Sequence, residues 1–298
     1  MQSQKTEIKG YGWGCQTGFN RAGSLLAISD QNGQINVWKI PSGKLIKTLE
    51  GFRWLRRKNK SCNVFCLEFD PTNSNVLAVG GWNSNIQLWD IETEQLIKTI
   101  DTGKDQVADL RFSPDGKFFV SISYETEIEI WNRETTKAST LKGNGRCVIT
   151  NAYHPDGKIL AAGDIDHSIN LWDIESQSLI HKIEGHSEGI TSLCFSPDGQ
   201  WLISGSNDSD IRIWDISTGD ALEVLKGHSE TITNLEINNR KYLCSTSDDS
   251  TIRVWNLEKG TWEEIQQFAA NIKFSESNSS YCLYSYSPKD GLTLHLGE

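Results

Sequence analysis

Two groups of side chains in this sequence have the types needed for acyl-transfer chemistry: His186, Ser206 and Asp208, and again His228, Ser247 and Asp249. A serine activated by a histidine that a carboxylate orients is a common hydrolytic arrangement. Both groups, however, stand at matching positions of a repeat, each ahead of a tryptophan, Trp214 and Trp255. Residues that recur at a fixed repeat position are set by the architecture, so both groups read as structural and no catalytic residue is expected. Metal chemistry is no better served. Cys62 and Cys66 are the one close pair among seven cysteines, and no second pair or nearby histidine completes a zinc set. The six histidines (His154, His167, His181, His186, His228, His295) form no ligand-spaced group. Gly10, Gly12 and Gly14 imitate a nucleotide loop, but no helix follows to receive a phosphate. The expectation is a non-enzyme without cofactor or metal.

Binding chemistry is better represented. The segment 51–63, GFRWLRRKNKSCN, places Arg53, Arg56, Arg57, Lys58 and Lys60 around Trp54 in a chain whose net charge is -10. Arginine and tryptophan are favoured interface anchors, and basic groups suit an acidic or phosphorylated peptide. Nucleic acid is the alternative ligand for the basic loop 52–60, with Trp54 stacking on a base. The acidic balance of the whole chain disfavours it, because a nucleic-acid clamp needs a broad basic face.

The elements that must position these residues are short strands. An apolar–any–apolar–Trp pattern ends at Trp38, Trp89, Trp131, Trp172, Trp214 and Trp255, and a seventh copy ends at His295. The spacings are 51, 42, 41, 42, 41 and 40 residues, a period that suits four-stranded propeller blades. Within each unit, alternating β-branched segments are separated by turns such as the SPDG sequences at Ser113 to Gly116 and Ser196 to Gly199. Proline presets φ in these turns and glycine accepts positive φ. No amphipathic stretch is long enough for an α/β fold.

With its glycine-histidine dipeptides, turn aspartates and Trp-Asp endings, the whole chain resembles the WD40-repeat family. The resemblance implies an all-β, seven-bladed propeller occupying residues 1–298, closed by the N-terminal strand. Residues Gln4 to Gly10, QKTEIKG, echo the outer-strand sequence LIKTLEG at Leu45 to Gly51, so residues 3–9 are expected to form the outer strand of the last blade. It also implies hydrogen-bonded tetrads of His186, Ser206, Asp208 and Trp214 and of His228, Ser247, Asp249 and Trp255. In the family, the face formed by outer-to-inner loops and second-to-third-strand turns most often binds peptides. Register places Trp13, Phe65, Trp82, Tyr124 and Phe268 on that face beside the basic loop, whereas blades five and six offer small polar residues there. Exposed aromatics of this kind mark recognition surfaces.

The expected function is therefore a protein-interaction scaffold, a monomeric ring within a larger complex. An odd number of cysteines in apolar runs argues for free thiols in a reducing compartment. With no apolar leader or span of membrane length, a cytoplasmic protein without membrane contact is expected.

Overall fold

The computed structural model describes residues 4–8, 16–30, 33–40, 42–49, 64–82, 84–104, 106–123, 127–134, 138–142, 147–238, 242–259, 261–265, 271–274, 281–287 and 291–297. Among them there are strands and turns and no helix. Between Thr17 and Ile265 the chain forms six four-stranded antiparallel sheets in sequence order, the blades of a β-propeller. The fifth blade shows the pattern: inner strand Ile190–Phe195, then Trp201–Ser206, Ile211–Asp215 and outer strand Ala221–Leu225. A further sheet joins Asn271–Phe274, Tyr281–Ser287 and Gly291–Gly297 to Gln4–Ile8, with Gln4 opposite Leu296 and Ile8 opposite Leu292.

Burial explains the strand sequences. The second strand of each blade is covered on both faces; Val76–Gly81 is buried throughout and accordingly reads as a continuous small-apolar run. Outer strands are exposed at their starts, as in Lys44–Leu49 and Gln95–Asp101, where aliphatics such as Ile46 and Ile97 stand beside lysines. Lysines along these edges discourage pairing with another chain. The core is a series of layers between blades rather than one central mass. Ala27, Ile35, Val37 and Leu49 of blade one pack on Leu67, Leu77, Val79 and Trp89 of blade two. Trp131, Trp172, Trp214 and Trp255 take the same place in the following layers. Each tryptophan thus faces the preceding blade, and burying an aromatic or large aliphatic side chain contributes about 1.5–3 kcal/mol.

A buried indole N–H needs an acceptor. In blade five Trp214 Nε1 donates to Ser204 Oγ at 2.8 Å, and Ser204 Oγ meets His186 Nε2 at 2.8 Å. His186 Nδ1 lies 2.8 Å from Asp208 Oδ2, which also accepts from the Ser187 N–H. Blade six repeats the chain through Trp255, Ser245, His228 and Asp249. Every donor is used if histidine carries its hydrogen on Nδ1 and accepts the serine hydroxyl at Nε2. Burial alone would raise the Asp208 carboxyl, but the His186 ring and the Ser187 N–H outweigh it and hold it well below the usual carboxylate range. For Asp249, burial is outweighed by the Thr251 hydroxyl and His228.

The bridging serines are thus Ser204 and Ser245, which corrects the tetrads expected from the sequence. Ser206 instead donates to the Glu188 carbonyl at 3.0 Å and caps the turn by accepting from the Asp208 N–H. Ser247 does the same with Glu230 and Asp249. The reason is register: Leu202 pairs with Trp214, and Ser204, opposite Arg212, lies within reach of the indole. Ser206 lies at the strand end, where only the turn is near.

Other blades solve the same problem differently. Trp131 Nε1 donates to Ser121 Oγ, and Trp89 Nε1 to Gln87 Oε1 at 3.1 Å. Blade four has Ala162 in the serine slot, opposite Asn170, and there the buried Trp172 Nε1 and Asn170 Oδ1 have no partner. Asn170 occupies the position of Gln87 but is one methylene shorter.

Two measurements test this account. Ser204→Ala should lower unfolding stability by about 3 kcal/mol, since two buried groups lose their partner, and Ser206→Ala by about 1 kcal/mol. Equal losses in urea titrations would remove Ser204 from the bridging role. Ala162→Ser should give Trp172 an acceptor and raise stability by about 1 kcal/mol. A fall in the urea midpoint would show that the slot has no room for the hydroxyl.

Candidate functional site

The inner strands carry a repeated irregularity that aims one side chain per blade. In blade two, Val64 pairs with Gly81 and Cys66 with Gly80, so Phe65 is an extra residue between them. The same bulge leaves Ile149, Thr191 and Thr233 unpaired in blades four, five and six. A bulge bends its strand and redirects the extra side chain. In blades five and six these side chains are satisfied internally: Thr191 donates to the Ile232 carbonyl, and Thr233 meets Thr246 at 2.7 Å. In blade two the side chain is aromatic. Phe65 is half-buried and packs on Trp82, with ring centroids 5.3 Å apart and planes tilted by 51°.

Trp82 follows directly on the second strand, at the turn, and is 50% exposed. The adjoining loop is fixed by the Thr102 N–H on the Ser84 carbonyl at 2.7 Å and the Val107 N–H on the Gly81 carbonyl at 2.9 Å. Lys104 on that loop pairs with Glu127 at 3.1 Å. A rigid, exposed indole braced by a phenyl ring is an apolar anchor with little ordering entropy left to lose on binding.

The equivalent turn residue of blade four is Ile165, 49% exposed, whose N–H bonds to the Cys147 carbonyl at 3.1 Å. Ile165 stands seven residues before Trp172, as Trp82 stands before Trp89, but an aliphatic there lacks the aromatic signal of Trp82. Blade five offers Asn207 and Gly189 in the corresponding places, and a side chain at Gly189 would press on the Ile165 backbone at about 3.3 Å. The face is therefore apolar at blades two and four and polar at five and six. Of the remaining residues expected at the site, Trp13, Arg53, Trp54, Arg56, Arg57, Tyr124 and Phe268 lie outside the described residues.

Among the described residues, reactive groups are not assembled. Burial pushes the thiols of Cys66, Cys147, Cys194 and Cys244 up, which suppresses thiolate chemistry. His154 bridges Asp156 and the Gly199 carbonyl, and His181 touches the Ser217 carbonyl, so both have structural partners. Among the described residues no three His, Cys, Asp or Glu side chains are grouped to hold a metal. Among those residues no helix is long and apolar enough to cross a membrane.

Comparison with known proteins agrees with this architecture. The family model "WD domain, G-beta repeat" matches residues 43–90, 94–132, 135–173, 177–215 and 219–256. The WD repeat-containing protein SL1-17 of Schistosoma mansoni is 30% identical over 61% of this chain and 58% of its own length. Autophagy-related protein 16 of Arabidopsis thaliana is 25% identical over 59% of this chain and 33% of its own. Pre-mRNA-processing factor 19 of Mus musculus is 28% identical over 44% of this chain and 35% of its own. Each match thus spans less than two thirds of the relative. Five matched repeats, each running from the outer strand of one blade through the first three strands of the next and ending within a residue of its buried tryptophan, show that the chain belongs to the WD40 family of G-beta repeat proteins.

Proposed function

We propose that this chain is a non-enzymatic protein-interaction scaffold whose partner segment binds on the face bearing Trp82. The observation that carries the reading is the Phe65–Trp82 pair, a braced and half-exposed indole at the mouth of blade two. Ile165 extends the apolar character of that face to blade four. The sequence adds Trp13, Tyr124, Phe268 and the basic segment containing Arg53, Trp54, Arg56 and Arg57, which favours an acidic or phosphorylated partner segment. Relatives named for autophagy and for pre-mRNA processing belong to different processes, so the fold alone does not choose the partner.

The scaffold we envisage is one seven-bladed ring, cytoplasmic and monomeric within a larger complex, in which the sheet uniting Gln4–Ile8 with Gly291–Gly297 is the last blade. The pairing of the first strand with the last supports this closure, as does the packing of Asn271–Phe274 beside Ile232–Asn238. Deleting residues 1–10 should then lower the melting temperature by roughly 5–10 °C, because several kcal/mol are lost at about 2–4 °C each. An unchanged melting temperature would separate the N-terminal strand from ring stability.

The face is tested by affinity capture from native cell extract with wild type and Trp82→Ala. The exposed position should leave the melting temperature within a degree or two. We expect partners captured by wild type at low salt to be lost with the variant and weakened as salt rises. Equal capture by both proteins would move the site elsewhere, and displacement by single-stranded RNA would favour a nucleic-acid ligand.

A further inference from the structure

The outer strands repeat a contact that links each blade to the next. Nine residues after the tryptophan stand Lys47, Lys98, Thr140, His181 and Glu223 in blades one to five. Lys47 Nζ donates to the Glu92 carbonyl of blade two at 3.0 Å and pairs with Glu94 at 2.8 Å. Lys98 Nζ donates to the Glu134 carbonyl of blade three at 3.4 Å. His181 Nε2 meets the Ser217 carbonyl of blade five at 3.3 Å. Each acceptor lies three residues after the next tryptophan, in the turn leading to that blade's outer strand. Three junctions thus share one chemistry: a nitrogen donor from one blade rests on the turn carbonyl of the following blade.

At the junction of blades five and six the donor is replaced by a carboxylate, Glu223. Thr140, at the junction of blades three and four, is short and neutral, whereas Glu223 places a carboxylate where blades one, two and four have a nitrogen donor; the same count in blade six gives Glu264. By the same count the acceptor in blade six is the Glu258 carbonyl, with which a carboxylate at Glu223 cannot make the donor contact of the other junctions. Glu223 is exposed, and its carboxylate forms no hydrogen bond or ion pair among the described residues. The two blades leave a groove of about 190 Å³ here, walled by Glu223, Val224 and Leu225 on one side and Asn256, Leu257 and Thr261 on the other. Lys226 also borders the groove, but its ammonium pairs with Asp210 at 3.3 Å.

We infer that this rim groove receives a lysine or arginine side chain presented by a protein partner, distinct from the ligand of the Trp82 face. The cation takes the position that Lys47 and Lys98 occupy at their own junctions, between the Glu223 carboxylate and the turn of blade six. Its aliphatic stem lies along Val224, Leu225 and Leu257, as long basic side chains do when the charged head stays near water. Charge complementarity selects a basic residue, since a neutral or acidic one would leave Glu223 uncompensated or repelled.

The test uses N-acetyl-arginine amide and N-acetyl-lysine N-methylamide as probes, with N-acetyl-norleucine amide as the uncharged control. Amide resonances of the whole isotope-labelled chain are followed by NMR as each probe is titrated to tens of millimolar. The basic probes should give saturable shifts confined to residues 223–226 and 256–261, with norleucine giving none. Glu223→Gln should weaken the affinity at least fivefold. Glu223→Lys should abolish it and raise the melting temperature, because the chain then fills the junction as Lys47 does. Shifts scattered over exposed carboxylates such as Glu175 and Glu230, shifts retained in Glu223→Gln, or an equal response to norleucine would overturn the inference. If Glu223→Lys fails to fold, the glutamine variant decides alone.

Discussion

One buried indole per layer is the constraint on which the rest of this propeller rests. Sheets stacked face to face exclude water, so a tryptophan placed between them must find a hydrogen-bond acceptor within its own blade. A group left without one costs roughly 1–3 kcal/mol. That requirement puts a serine at Ser121, Ser204 and Ser245, two residues beyond the tryptophan's cross-strand partner. It then recruits whatever orients the serine: Glu129 in blade three, and histidine with aspartate in blades five and six. The histidine in turn ties the loop entering the blade to the turn between its second and third strands. A single indole N–H therefore dictates residue types over a span of about 30 positions in a repeat of about 40.

Small irregularities in the ladders convert this uniform frame into surfaces. The inner-strand bulge occurs whether its extra residue is Phe65, Ile149, Thr191 or Thr233, so the backbone offers the same projection each time. Only the side chain decides whether it is consumed internally, as with the threonines, or braces an exposed neighbour, as Phe65 does for Trp82. A second bulge interrupts the outer strands at Ile46, Ile97, Ile180 and Leu222 and leaves these aliphatics at the rim. It also sets the next residue, Lys47, Lys98, His181 or Glu223, towards the following blade. Local backbone geometry thus fixes where variation can be read, and the sequence supplies what is read there.

The tryptophan motif and the turn chemistry were legible because each has a local cause: alternation for strands, positive φ for the turn glycines. The face positions followed by counting from the tryptophans, which puts Phe65 and Trp82 on one face of the second blade, although their ring contact has no signature in the sequence. The bridging serine was not legible. Ser204 and Ser206 are two residues apart on one strand and so point to the same side, and only the register against Ile211–Asp215 distinguishes them. The rim contacts were missed for a different reason. Their acceptor is a backbone carbonyl in the next repeat, and a carbonyl has no signature in the sequence.

Ala162 and Glu223 both break the repeat, and solvent decides what each break costs. Inside the layer, replacing serine by alanine strands Trp172 Nε1 and Asn170 Oδ1 away from water, and nothing outside the chain can reach them. At the rim, an unpaired carboxylate remains hydrated, and losing an exposed ion pair typically costs less than about 1 kcal/mol. A departure in the core is therefore a stability defect that the protein must carry in every state. A departure at the surface is nearly free until a complementary group arrives, and then it discriminates between partners. Among repeated blades, recognition should accordingly concentrate where the pattern fails in contact with water, which is the ground for proposing Trp82 and Glu223.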